Sequence, residues 1–144
     1  MLSQNYSNHR RYIPLFHYIT SGLIGATFAL SAFKLYKAIT HAQFYFNAMV
    51  LLIISTVLIL LWYYSRAFAL KAQNRAISSE ENFRHYLLTG KPLDKKLQMR
   101  QIVALRFAAD EEFPALALKA AAENLKSDEI KKAIKNWKED NDRV

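Results

Sequence analysis

The chain contains no cysteine. That excludes disulfides, thiol nucleophiles and cysteine metal sites, and nothing in it calls for an oxidising compartment. Glycine and proline number three each among 144 residues, too few for a turn-dense β fold and in keeping with long helices. Acid is missing from more than half of the chain. Residues 1–79 carry seven basic side chains (Arg10, Arg11, Lys34, Lys37, Arg66, Lys71 and Arg75) and no Asp or Glu. Residues 80–144 carry thirteen basic and twelve acidic groups, so nearly all of the net charge of +8 resides in the first part. A nucleic-acid-binding protein sets its basic excess as a stripe on a soluble surface. Here the excess flanks apolar runs, as in a membrane protein, and no nucleic-acid partner is expected.

What is present is apolar length. Residues 44–64, FYFNAMVLLIISTVLILLWYY, contain no charge and only Asn47, Ser55 and Thr56 as polar interruptions. At about 1.5 Å per residue this run crosses a hydrocarbon core of roughly 30 Å. Phe44, Tyr45 and Phe46 open it and Trp62, Tyr63 and Tyr64 close it, as interfacial aromatic belts do. A second uncharged run covers residues 13–33. Arg10 and Arg11 before it and Ala29-Leu30-Ser31 near its end imitate an export signal. The run is too long for one, and Lys34 and Lys37 follow it at once, so a retained first span is expected.

Residues 34–43 link the runs without Gly or Pro, a connection short enough to force an antiparallel hairpin. Arg10, Arg11, Arg66, Lys71 and Arg75 outnumber Lys34 and Lys37, which places both termini in the cytoplasm and the link outside. On the first span Ser21, Gly22, Gly25, Ala26, Ala29 and Ala32 are small, with Ser21, Gly25 and Ala29 at four-residue spacing. Small faces let helices approach closely in lipid. This one serves either contact within the hairpin or docking of another protein.

The fold class expected is all-α. A two-helix transmembrane hairpin occupies residues 1–64, and a cytoplasmic helical stalk and tail occupies residues 65–144. The second helix should continue to about Leu88, with Ala69, Ala72, Ala76, Ser79, Phe83 and Tyr86 recurring at three- and four-residue steps. Gly90 and Pro92 stop it. Three shorter helices follow. Asp94 caps one that runs to about Ala108, with Met99, Ile102 and Val103 as its apolar face. Asp110 caps the next, with Glu111 and Glu112 at its positive end, Phe113, Leu116, Ala117 and Ala120 inward, and Asn124 as terminator. Ser127 caps the last, with Asp128 and Glu129 in its first turn, Ile130, Ile134 and Trp137 on one stripe, and Lys131, Lys132, Lys135 and Lys138 along it. So thin an apolar inventory implies packing on the stalk or on a partner.

No catalytic constellation emerges. The histidines at 9, 17, 41 and 85 lack metal spacing, TGKP at 89–92 lacks the first glycine of a phosphate loop, and the acids at 110–112 read as helix-start residues. Neither span contains an ionisable Asp, Glu, Lys or Arg, which argues against a proton or ion path within one chain. No catalytic, cofactor-binding or metal-binding residue, no cofactor and no small-molecule substrate is assigned.

Three stretches, QNYSNHRRYIPLFHY at 4–18, FALKAQNRAISSEENFRHYLLTGKPLD at 68–94 and LQMRQIVALRFAADEEFPAL at 97–116, resemble an uncharacterised family of small bacterial two-span membrane proteins with a QNYxNHxR motif. The resemblance implies a bacterial cytoplasmic-membrane location, the two-span topology and the helical tail, and it transfers no activity. Asn5, His9, Arg10, Arg11, Arg84, Arg106 and Asp110 are the motif residues to inspect for partner contacts. The function expected is a non-enzymatic accessory or scaffold subunit. Its partners are the bilayer and other membrane subunits or further copies of itself. An oligomeric transporter or channel, or a subunit of one, is the alternative.

Overall fold

The computed structural model describes residues 4–8 and 13–139. Among the described residues all regular structure is helical, with one isolated bridge between Ala108 and Trp137. The chain divides into two compact units, Tyr12–Phe68 and Met1–Arg11 with Ala69–Val144, and helix α2 (Phe46–Thr89) supplies residues to both.

The first unit is a helical hairpin. It opens with a π-helical turn, Leu15–Thr20, in which each hydrogen bond spans five residues. The hydroxyls of Thr20 and Ser21 follow that spacing, donating to the carbonyls of Leu15 and Phe16 at 2.9 and 3.1 Å, so the widened turn keeps its carbonyls occupied. Helix α1 then runs Ser21–Thr40. The expected link at 34–43 is therefore shorter: α1 continues through Lys34 and Lys37, and only residues 41–45 reverse the chain. Nothing in KLYKAIT breaks a helix, so it propagates until Ala42 takes a positive φ of 51° and Gln43 N–H closes on the Ala38 carbonyl at 2.8 Å.

The two helices meet along a seven-residue repeat. On α2 most of the buried and half-buried positions step through Ala48, Leu52, Ser55, Ile59, Trp62 and Arg66, and on α1 through Ile24, Ser31, Leu35 and Ala38, with Ser21, Ala32, Val50 and Ala67 half-buried beside them. A 3.5-residue repeat is what keeps one seam facing its neighbour over several turns. A hydroxyl pair bridges the seam, Ser31 Oγ to Ser55 Oγ at 3.0 Å, with Ser55 fully buried. Each Oγ also lies 2.9 Å from a carbonyl of its own helix, Phe28 and Leu52. One serine thus donates to its partner while the other donates to its own helix, and no hydroxyl is left without a partner in an apolar seam.

In the second unit α2 ends where expected. Gly90 takes φ +70° and its N–H closes on the Tyr86 carbonyl at 2.8 Å, the left-handed stop that glycine accepts without a Cβ clash. Helices α3 (Met99–Leu105), α4 (Phe113–Glu123) and α5 (Ser127–Ala133) follow. Their core joins Leu93, Leu97, Leu105, Phe107, Phe113, Leu116, Ala120, Ile130 and Ile134, with Trp137 against it and its ring 5.2 Å from that of Phe107.

The helix starts differ from those expected. Asp94 holds a turn, accepting the Lys96 N–H at 2.9 Å, and α3 begins only at Met99. There Gln101 reaches back to the Gln98 N–H at 2.6 Å. Helix α4 begins at Phe113, because Pro114 suits a first turn and the acids before it are engaged elsewhere. Asn124 terminates it as expected, in the left-handed region at φ 50°. Helix α5 is entered from Lys126, whose N–H is accepted by Glu129 at 2.6 Å, and it stops at Ala133. Beyond it the chain is extended: Ala109 N–H donates to Asn136, and Lys138 N–H to Phe107 at 2.7 Å. Ile134 and Trp137 thus reach the core from an extended segment, and Lys135 and Lys138 are not helical.

Candidate functional site

The hairpin seam uses other small residues than those on the predicted face. Ser31, Ala38, Ala48 and Ser55 are buried in it, whereas of the predicted face Gly22, Gly25, Ala26 and Ala29 are exposed and only Ser21 and Ala32 are half-buried. A Cβ placed on Gly22 or Gly25 would meet no atom within 4 Å. Close approach is therefore possible on the outer side of α1, and the contact within the hairpin does not use it. Around both helices large apolar side chains point outward, among them Leu23, Leu30, Phe33, Ile53 and Leu61. Only 6% and 11% of the most apolar windows of the two helices are buried. The aromatic ends are arranged in pairs. Phe16 stacks on Trp62 at 5.8 Å with the Arg66 guanidinium 5.9 Å from the Phe16 ring. At the other end Lys37 lies 5.4 Å from the Phe33 ring.

In the second unit a polar clasp ties α2 to the turn between α3 and α4. Arg84, on the buried face of α2, donates from Nε to Asp110 at 2.6 Å, from Nη1 to Glu81 at 3.0 Å and from Nη2 to the Ala108 carbonyl at 2.7 Å. Its guanidinium also lies 4.5 Å from the Phe113 ring. A planar guanidinium with several donors suits such a junction better than a lysine. His85, one turn from Glu81, is buried. Its Nδ1 pairs with the Lys91 carbonyl at 2.8 Å, and its ring meets that of Phe113 edge to face. Asn82 accepts the Leu93 N–H at 2.9 Å, so the loop after α2 is fastened at two points. Glu112 accepts the N–H groups of Lys135 and Asn136 at 3.2 and 3.0 Å. Asp110 and Glu112, expected as helix-start acids, thus also hold tertiary contacts.

The motif residues thus separate. Arg84 and Asp110 bond to each other across the unit. Asn5 organises a local turn, its Oδ1 accepting from the backbone and hydroxyl of Ser7 while Asn8 accepts the Asn5 N–H at 2.6 Å. Neighbouring Tyr6 receives the Lys132 ammonium 5.7 Å from its ring. Arg106 lies 4.7 Å from the Phe107 ring and borders a cleft of about 320 Å³ with Gln73, Ile77, Glu80 and Lys138. His9, Arg10 and Arg11 lie outside the described residues. Arg84 and Asp110 were visible as motif residues, but no sequence spacing could show that they pair. Of the histidines, His17 pairs locally with Ile13 and His41 ends α1. Among the described residues no group of three His, Asp or Glu side chains could hold a metal ion.

No curated protein and no solved structure matches the chain. A family of unknown function, DUF6526, matches it over residues 1–144, and the chain belongs to that family.

Proposed function

We propose that the protein is an integral protein of the bacterial cytoplasmic membrane, with both termini inside, that serves without catalysis as an accessory or scaffold subunit of a larger assembly. The observation that carries this reading is the outward exposure of two uncharged helical runs, residues 13–33 and 44–64. The core helix of a water-soluble domain buries its apolar side chains. Here the two windows are 6% and 11% buried, and Leu30 and Leu61 are 68% and 61% exposed. Each such side chain is worth about 1.5–3 kcal/mol when removed from water, so lipid or protein must cover them. The charge distribution supports the orientation. The open face at Gly22 and Gly25 supports docking of another transmembrane helix, which hydroxyl pairing at Ser31 and Ser55 leaves accessible. Neither span contains Asp, Glu, Lys or Arg, which counts against an ion path within one chain, so a transport path has no comparable support.

The test has two readings. Alkaline extraction should leave the protein in the membrane fraction, and release into the supernatant would remove the membrane assignment. Gly25→Leu adds a side chain where the hairpin has open space, so it spares the hairpin's own seam. Intact-complex mass spectrometry after gentle extraction should show a smaller assembly for this variant, whereas an unchanged mass excludes this face as the interface.

A further inference from the structure

The part of α2 that belongs to the second unit has two opposed faces. One carries Ile77, Glu81, Arg84 and His85 into the unit. The other carries Ala69, Ala72, Ala76, Ser79, Phe83 and Tyr86, spaced three, four, three, four and three residues apart, which is the heptad seam of a coiled coil. At 100° per residue the two faces are centred roughly 150° apart. Most of the outer seam is open among the described residues: Ala69 is half-buried and Ala76 borders the cleft beside Arg106, but Ala72, Ala76 and Ser79 are exposed, and Phe83 and Tyr86 are 62% and 54% exposed. A helix whose own domain already occupies one face does not expose a second regular apolar seam without a use for it.

Charge identifies what fits there. In this repeat Ala69, Ala76 and Phe83 take the first core position, and Ala72, Ser79 and Tyr86 the second. Arg75 and Glu80 then fall on the two flanks, five residues apart. In a parallel pair, the residue on one flank faces the residue five positions later on the opposite flank of the neighbour. Arg75 of one copy therefore meets Glu80 of another, and two-fold symmetry repeats the contact. Among the described residues neither side chain has an ion pair within its own chain. We propose that the cytoplasmic stretch of α2 pairs in parallel with the same stretch of a second copy, with Ala72, Ala76 and Ser79 allowing close approach and Phe83 and Tyr86 supplying the buried area. The parallel alignment rests on the membrane reading above, because two copies inserted the same way present their α2 helices in the same direction. Anchoring in one membrane also raises the effective concentration that so short a seam requires.

The absence of cysteine makes the test clean. The full-length protein is expressed in its native membrane with Ser79→Cys in the seam or, as control, Lys71→Cys outside it, and is oxidised with copper phenanthroline. Ser79→Cys should form a disulfide-linked dimer, and Lys71→Cys should form little. Adding Glu80→Arg to Ser79→Cys sets like charges against each other and should lower the dimer yield about tenfold. Adding Arg75→Glu as well should restore it. These are exposed positions, and circular dichroism checks that helix content is retained. Equal cross-linking of the two cysteines, failure of the double charge reversal to restore the dimer, or cross-linking only to a different protein would each overturn the proposal. Alkaline extraction of the same membranes separates this outcome from failure of the membrane assignment: retained protein without the dimer refutes the pairing alone.

Discussion

Replacing Arg84 by Met should loosen the second unit far more than removing the partner that looks most prominent. The guanidinium serves two carboxylates with different surroundings: the Glu81 side chain is 10% exposed and the Asp110 side chain 59% exposed. An exposed pair is worth about 0–1 kcal/mol, so Asp110→Asn should cost about 1 kcal/mol. Breaking a buried pair costs about 3–5 kcal/mol because the remaining charge is stranded. The Ala108 carbonyl also loses a donor, worth about 1 kcal/mol. With the Arg84 and Glu81 side chains still 13% and 10% exposed, the lower end applies: Arg84→Met should cost about 4 kcal/mol, and Glu81→Gln added to it should recover part of the loss by removing the stranded charge. Hydrogen exchange followed by mass spectrometry, on the full chain in detergent, reads this locally. At 1.36 kcal/mol per factor of ten, peptides from α3 and α4 should exchange about a thousandfold faster in Arg84→Met and about fivefold faster in Asp110→Asn. Equal acceleration in the two variants, or no recovery on adding Glu81→Gln, would refute the assignment of the cost to Glu81.

Two further predictions concern the seam and the stop. Ser55→Ala removes one interhelical hydroxyl contact and should weaken the hairpin by only about 0.6 kcal/mol. Ser55→Leu puts a large side chain where exposure is zero and should cost about 1–3 kcal/mol, with both changes read by detergent-denaturation titration. Gly90→Ala should lower the stability of the second unit by about 1 kcal/mol, because its φ of +70° suits glycine and not alanine. Gly90→Asn should cost less, with both Gly90 variants read by thermal melts.

Much of the architecture was decided locally and could be read from the residues alone. Two uncharged runs, a helix continuing through residues without a breaker, and stops at Gly90 and Asn124 all depend on contacts within a few positions, where periodicity and backbone preference act. The apolar faces of α4 and α5 followed for the same reason, since Phe113, Leu116, Ala117, Ala120 and Ile130 are buried, whereas α3 buries Gln101, Ala104 and Leu105 and leaves Met99, expected on its apolar face, 38% exposed.

Only the tertiary structure settled which of two chemically similar options each group took. Small residues occur on several faces of α1, and packing put Ser31 and Ala38 into the seam while leaving Gly22 and Gly25 open. The acids at 110–112 sit just before a helix, where a dipole effect of about 0.3–1 kcal/mol favours them. Arg84 lies 26 residues from Asp110, and the N–H groups of Lys135 and Asn136 lie 23 and 24 residues from Glu112. These distant groups offered direct hydrogen bonds, to a cation and to otherwise unpaired backbone, and those bonds outweigh the weaker local effect. The helix expected through Ile134 and Trp137 ended early for a similar reason, as the backbone of Phe107 and Ala109 bonded to the segment at 136–138. Local sequence determines which elements can form, because propensity and periodicity act over a few residues. The partners of the polar groups depend on which distant donors and acceptors the finished packing brings within about 3 Å.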